Sequence, residues 1–98
     1  MRTATHEETI QGLTAQEWCE QAHRSFQSEN FEDAIRGWSL ALELRPEWPA
    51  VYVMRGLSHE NLGHQFQALE DYDRAVEIDP DEPASYINRA ICYGKLGD

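Results

Sequence analysis

Cys19 and His23 stand four residues apart, a spacing that puts a thiolate and an imidazole on one face of a helix and makes half of a zinc site. No second pair repeats that spacing, because His59 and His64 are five apart and a turn is predicted between them. Asp79-Pro80-Asp81-Glu82-Pro83 gathers the oxygen donors a hard cation takes, but its two prolines and its place between repeating units read as a turn. Glu70, Asp71, Asp73 and Glu77 supply carboxylates suited to proton transfer. On a helix they fall on the outward side or the ends, the pattern of a solvated face. A glycine-rich phosphate loop, a nucleophile elbow and a zinc-protease helix motif are all missing from the sequence. The expectation is a chain with no catalytic residues, no bound metal and no cofactor.

The elements that position these residues follow from self-similarity at an offset of 34. Pro46 recurs as Pro80 and Pro49 as Pro83; Ala34 recurs as Ala68 and Ala41 as Ala75. Trp18, Tyr52 and Tyr86 form one aromatic series, Trp38 and Tyr72 another, and Ala22, Gly56 and Ala90 a series of small residues. A period of this size marks a unit that cannot bury its apolar face alone and stacks on its neighbours. Within the unit the period is helical: Phe31, Ala34, Ile35, Trp38 and Leu42 share one helix face. Thr14-Ala15-Gln16-Glu17 has the spacing of a capping box. Pro49 and Pro83 suit a first helical turn, and Gly63 and Gly97 follow leucines where helices should end. These signals predict helices over about 15–28, 31–44, 49–62, 65–78 and 83–96, preceded by a flexible lead over 1–14.

The net charge of −10 and pI near 4.7 give a field that repels phosphate backbones and anionic lipid surfaces, which argues against a nucleic-acid partner. Solubility accounts for the acidity, and a basic partner is its sharper reading. No apolar run approaches the ~18 residues of a membrane span, so membrane insertion is not expected. Met1 to Glu8 lacks the apolar core of a signal peptide, so a cytoplasmic chain is expected, with Cys19 and Cys92 as free thiols in or near the core.

Trp18, Ala22, Ala34, Trp38, Ala41 and Pro46 resemble the signature of the tetratricopeptide repeat family, and Tyr52, Gly56, Ala68, Tyr72, Ala75 and Pro80 match it again. Tyr86, Ala90 and Tyr93 match the first half of a third repeat. The resemblance implies an all-α, right-handed solenoid of antiparallel helix pairs over 15–98, with repeats 15–48 and 49–82 and a partial repeat 83–98. Ser25 and His59 replace the usual aromatic late in the first helix, and Gln65-Phe66 shifts an inter-helix aromatic by one place. In the family the first helix of each repeat lines a concave surface. By register that groove would hold Gln16, Cys19, His23, Phe26 and Gln27, then Val53, Leu57, Glu60 and Asn61, then Ile87, Ile91 and Lys95. Relatives that clamp chaperone tails use Lys, Asn and Arg at positions that here carry Cys19, His23, Met54, Ala84 and Asn88, and the loss of every cation argues against that ligand. Arg55 and Arg89, at equivalent places, are expected to form repeated salt bridges with the acidic helices.

The last predicted helix places Tyr86, Ile87, Ala90, Ile91, Cys92, Tyr93 and Leu96 on several sides, whereas a terminal helix needs a polar outer face. Either the sequence is a piece of a longer array, or Tyr86, Ala90, Tyr93 and Leu96 pair with a second copy. The leading expectation is a protein-interaction scaffold that holds a peptide or helix of another protein in its groove. The alternative is a structural self-association module, a homodimer built on the last helix.

Overall fold

A computed structural model describes residues 7–97. Residues 1–6 of the expected lead and Asp98 lie outside the described residues. Five helices follow in order: α1 (Ala15–Gln27), α2 (Phe31–Leu44), α3 (Pro49–Asn61), α4 (Gln65–Ile78) and α5 (Pro83–Gly97). Among the described residues there is no strand, only an isolated bridge between Ile10 and Leu13, and no helix is long and apolar enough to cross a membrane.

Local chemistry sets the boundaries. The Thr14 side chain accepts from the Glu17 backbone N–H while the Glu17 carboxylate accepts from the Thr14 N–H at 2.9 Å, so the capping box closes at the start of α1. Pro49 and Pro83 open α3 and α5, where a missing N–H costs no hydrogen bond. Gly63, at φ +80°, reverses the chain after α3, a conformation that a side chain would strain. Gly97 is the last residue of α5, one position beyond the expected end. Before α1, Gln11 and Gly12 both take positive φ in a tight turn, and the Trp18 indole donates to the Ile10 carbonyl at 3.0 Å. That bond holds the end of the lead on the first core cluster, which Leu13 joins.

Each helix packs antiparallel on the next, and the small residues sit where ridges meet. Ala22, Ala34, Ala41, Ala68 and Ala75 are all buried, and Trp18, Trp38 and Tyr72 fill the space beside them. Gly37 and Gly56 mark the closest approaches. A Cβ at 37 would stand 2.8 Å from that of Ala22, and one at 56 would stand 2.5 Å from the Tyr72 ring. Ala90, the third member of the small series, is exposed on α5.

One reading of the acidic face is corrected. Asp71 is not solvated; it is buried at 4% exposure between α3 and α4. Arg55 grips it through two parallel bonds, Nε to Oδ2 at 2.9 Å and Nη2 to Oδ1 at 2.7 Å. This geometry replaces lost hydration with charge-assisted hydrogen bonds. The same guanidinium donates to Ser39 Oγ on α2 at 3.1 Å. One repeat later Arg89 donates to Asp73, the position equivalent to Ser39, at 3.3 Å. Both arginines thus form the expected salt bridges with an acidic helix, but with non-equivalent carboxylates of α4.

Candidate functional site

Among the described residues, three clefts lie along α1, α3 and α5, the first helices of the repeats. The largest, about 490 Å³, lies between α1 and α3. Cys19, Trp38 and Val51 are its buried members, Trp48, Ala50 and Met54 form one wall, and Gln16, Glu20, His23 and Arg24 the other. The indole N–H of Trp38 is buried with no acceptor among the described residues. A second cleft of about 450 Å³ continues past Trp48, Ala50 and Met54 to Pro49, Val53, Asp79 and Glu82. The two share a wall, so together they form one apolar trough crossing from the first repeat into the second. The third cleft, about 220 Å³, is lined by Leu57, Glu60, Asn61, Asn88, Ile91 and Lys95.

The residues expected in a groove are therefore divided. Gln16, Cys19 and His23 border the first cleft, Val53 the second, and Leu57, Glu60, Asn61, Ile91 and Lys95 the third. Phe26, Gln27 and Ile87 line none of the three: Phe26 packs edge-on against Phe31 at 5.4 Å, while Gln27 and Ile87 stand exposed. Sequence reasoning missed Trp48, Ala50 and Val51, and named Met54 only as a clamp position and not among the groove residues. The signal was present, since Met54 and Ala50 are the repeat equivalents of Glu20 and Gln16. Trp48 precedes its helix, outside any helical pattern, and the Arg45 guanidinium stacks over it at 4.0 Å.

Glu60 is not a free groove carboxylate. Its Oε1 accepts from the Tyr72 hydroxyl and its Oε2 from Lys95 Nζ at 2.9 Å, so one side chain ties α3 to both α4 and α5. Burial, followed by that bond to Glu60, raises the Tyr72 phenol far above its ordinary range. On α5, Tyr86, Ala90 and Tyr93 are exposed, but Leu96 is half-buried against the second core cluster of Ala68, Tyr72 and Cys92.

Both cysteines are free and buried. Burial pushes the Cys19 thiol up to about 11, and burial likewise raises that of Cys92, whose Sγ donates to the Gln65 carbonyl at 3.3 Å. A thiol held protonated is a poor nucleophile at neutral pH. Alkylation of Cys19 by iodoacetamide, followed by mass spectrometry, should therefore still be rising steeply between pH 9 and 10 in the folded chain. In guanidinium it should level off around the free-thiol value of about 8.5. Among the described residues, no three His, Cys, Asp or Glu side chains converge on one point.

Family models of the tetratricopeptide repeat match residues 49–82 and 71–98. No curated protein matches the sequence. Among solved structures, the Arabidopsis OM64 TPR domain superposes with a TM-score of 0.80 at 20% identity, over 84% of this chain and 68% of that one. The TPR2B domain of yeast Sti1, in a pHsp70 complex, gives 0.81 at 22%, over 84% and 66%. The first TPR of Spaghetti (RPAP3), bound to the HSP90 peptide SRMEEVD, gives 0.83 at 21%, over 87% and 68%. The chain thus spans about two thirds of the length of each, and at these identities the likeness is one of fold. The period of 34, the small residues at the helix crossings and two family matches that together span half the sequence lead to one assignment: the chain belongs to the tetratricopeptide repeat family.

Proposed function

We propose that the chain is a protein–protein interaction scaffold that holds a peptide or helix of a partner along its concave face. The observation that carries this reading is the apolar trough shared by the first two clefts, with Trp48, Ala50 and Met54 as its common wall. Concave apolar surface with a few polar groups at its edge is what a side-chain anchor from a partner requires. The partners of two of the similar structures, pHsp70 and an HSP90 peptide, support the class of ligand rather than its sequence.

Ala50→Glu tests the trough with little risk to the fold, because Ala50 is exposed and follows Pro49 in the first turn of α3, where a carboxylate suits the helix dipole. Peptides selected from a display library on the native chain should bind Ala50→Glu at least tenfold more weakly by fluorescence anisotropy, with melting temperature unchanged. Equal binding to Ala50→Glu and to Leu57→Glu would remove the groove reading.

A second reading rests on α5, where Tyr86, Ile87, Ile91 and Tyr93 are 39–59% exposed. An apolar face of this kind suits a second copy, and it makes self-association the alternative function. Light scattering decides it: a dimer at micromolar dilution that Tyr93→Glu converts to monomer supports this reading, and a monomer throughout discards it.

A further inference from the structure

We propose that the α3–α4 turn is a binding site for a divalent transition-metal ion, held by His59 and His64. Five residues of separation and an intervening turn argue against such a pair in the sequence, but the turn itself brings the imidazoles together. Gly63 reverses the chain at φ +80°, and the His64 backbone N–H donates to the His59 carbonyl at 2.8 Å. His64 then sits at the N-cap of α4, where its side chain makes no capping bond and remains available.

The two Nδ1 atoms face each other at 3.5 Å. Two imidazole nitrogens, each about 2.0–2.1 Å from one tetrahedral zinc, stand about 3.3–3.4 Å apart. The observed gap therefore admits an ion after an adjustment of a few tenths of an ångström.

A second observation concerns the far side of His59. Its Nε2 stands 3.9 Å from Asp71 Oδ2, on the carboxylate already fixed by Arg55. A carboxylate beside one ring nitrogen favours the tautomer protonated there and leaves the other nitrogen as a ligand, the arrangement in which histidines commonly hold zinc. Imidazole donors suit zinc, copper and nickel rather than magnesium or calcium. Half-exposed on one side, the site leaves the remaining coordination positions to water.

The test is titration of Zn²⁺ into the metal-free chain, followed by calorimetry and by the imidazole C–H resonances in NMR. One ion per chain is expected, with the His59 and His64 resonances shifting together and the melting temperature rising with added Zn²⁺. His64→Ala and His59→Phe should each weaken binding at least tenfold and abolish the zinc-dependent rise in melting temperature, while retaining the helical circular dichroism. His6→Ala and His23→Ala should bind as the native chain does. Binding that survives His64→Ala, or native chain that shows no saturable response up to millimolar Zn²⁺, overturns the proposal.

Discussion

Replacing Asp71 by alanine lowers the free energy of unfolding by about 2–4 kcal/mol, read from urea denaturation monitored at 222 nm. The Asp71 side chain is 6% exposed and Arg55 23%, so deletion of the carboxylate leaves a guanidinium that water only partly reaches. That partial access places the loss somewhat below that of a fully enclosed pair. The liability is the orphaned charge rather than the missing bond, so the companion change matters. Arg55→Met with Asp71→Leu removes both charges and should recover most of the stability. A double variant as unstable as Asp71→Ala alone would mean that the pair contributes by shape and not by charge. The cost falls on a small domain whose whole stability is on the order of 5–15 kcal/mol, and the loss will show as a large fall in urea midpoint.

Tyr72→Ala is the larger perturbation, at about 3–5 kcal/mol for a fully buried aromatic. Tyr72 is 0% exposed, packs into the second core cluster and donates to Glu60. Its effect on the neighbouring glycine is more diagnostic than its size. In the native chain Gly56→Ala must push a Cβ to within 2.5 Å of the tyrosine ring, and the overpacking outweighs the roughly 1 kcal/mol that alanine gains over glycine in a helix. With Tyr72 removed the same substitution partly fills a cavity and gains the helix propensity as well. Gly56→Ala should therefore destabilise the native chain and stabilise Tyr72→Ala, a reversal of sign that a double-mutant cycle reads directly. Additive changes would mean that the helices relax apart and that the glycine is not what sets their distance.

The helices were legible because punctuation and periodicity agree at each end: Thr14 with Glu17, Pro49, Gly63 and Pro83 set boundaries within one residue of those expected, and the repeats aligned the rest. Asp71 was misread because, viewed along its own helix, it belongs to a charged run. The decisive clue lay one repeat earlier, at Gly37, where a glycine marks the close approach of two helices. Any residue at the equivalent position is buried, and Asp71 is tolerated there because Arg55 reaches it. The trough was only half legible. Cys19 and His23 follow from helix register, but Trp48 enters from a linker, and no period places a linker residue. His59 and His64 were set apart by a rule that counts residues along a helix, whereas a positive-φ glycine makes neighbours across a turn.

The arginines at the two repeat boundaries make those joints chemically unlike. Across the first, Arg55 on α3 reaches a neutral acceptor on α2, Ser39 Oγ at 3.1 Å, while its charge is matched by Asp71 inside its own repeat. Across the second, the equivalent Arg89 on α5 meets a carboxylate, Asp73 on α4, at 3.3 Å between groups 31% and 44% exposed. A pair of exposed opposite charges is screened by salt, whereas a bond to a neutral hydroxyl is much less so. Ionic strength should therefore act on the α4–α5 joint more than on the α2–α3 joint.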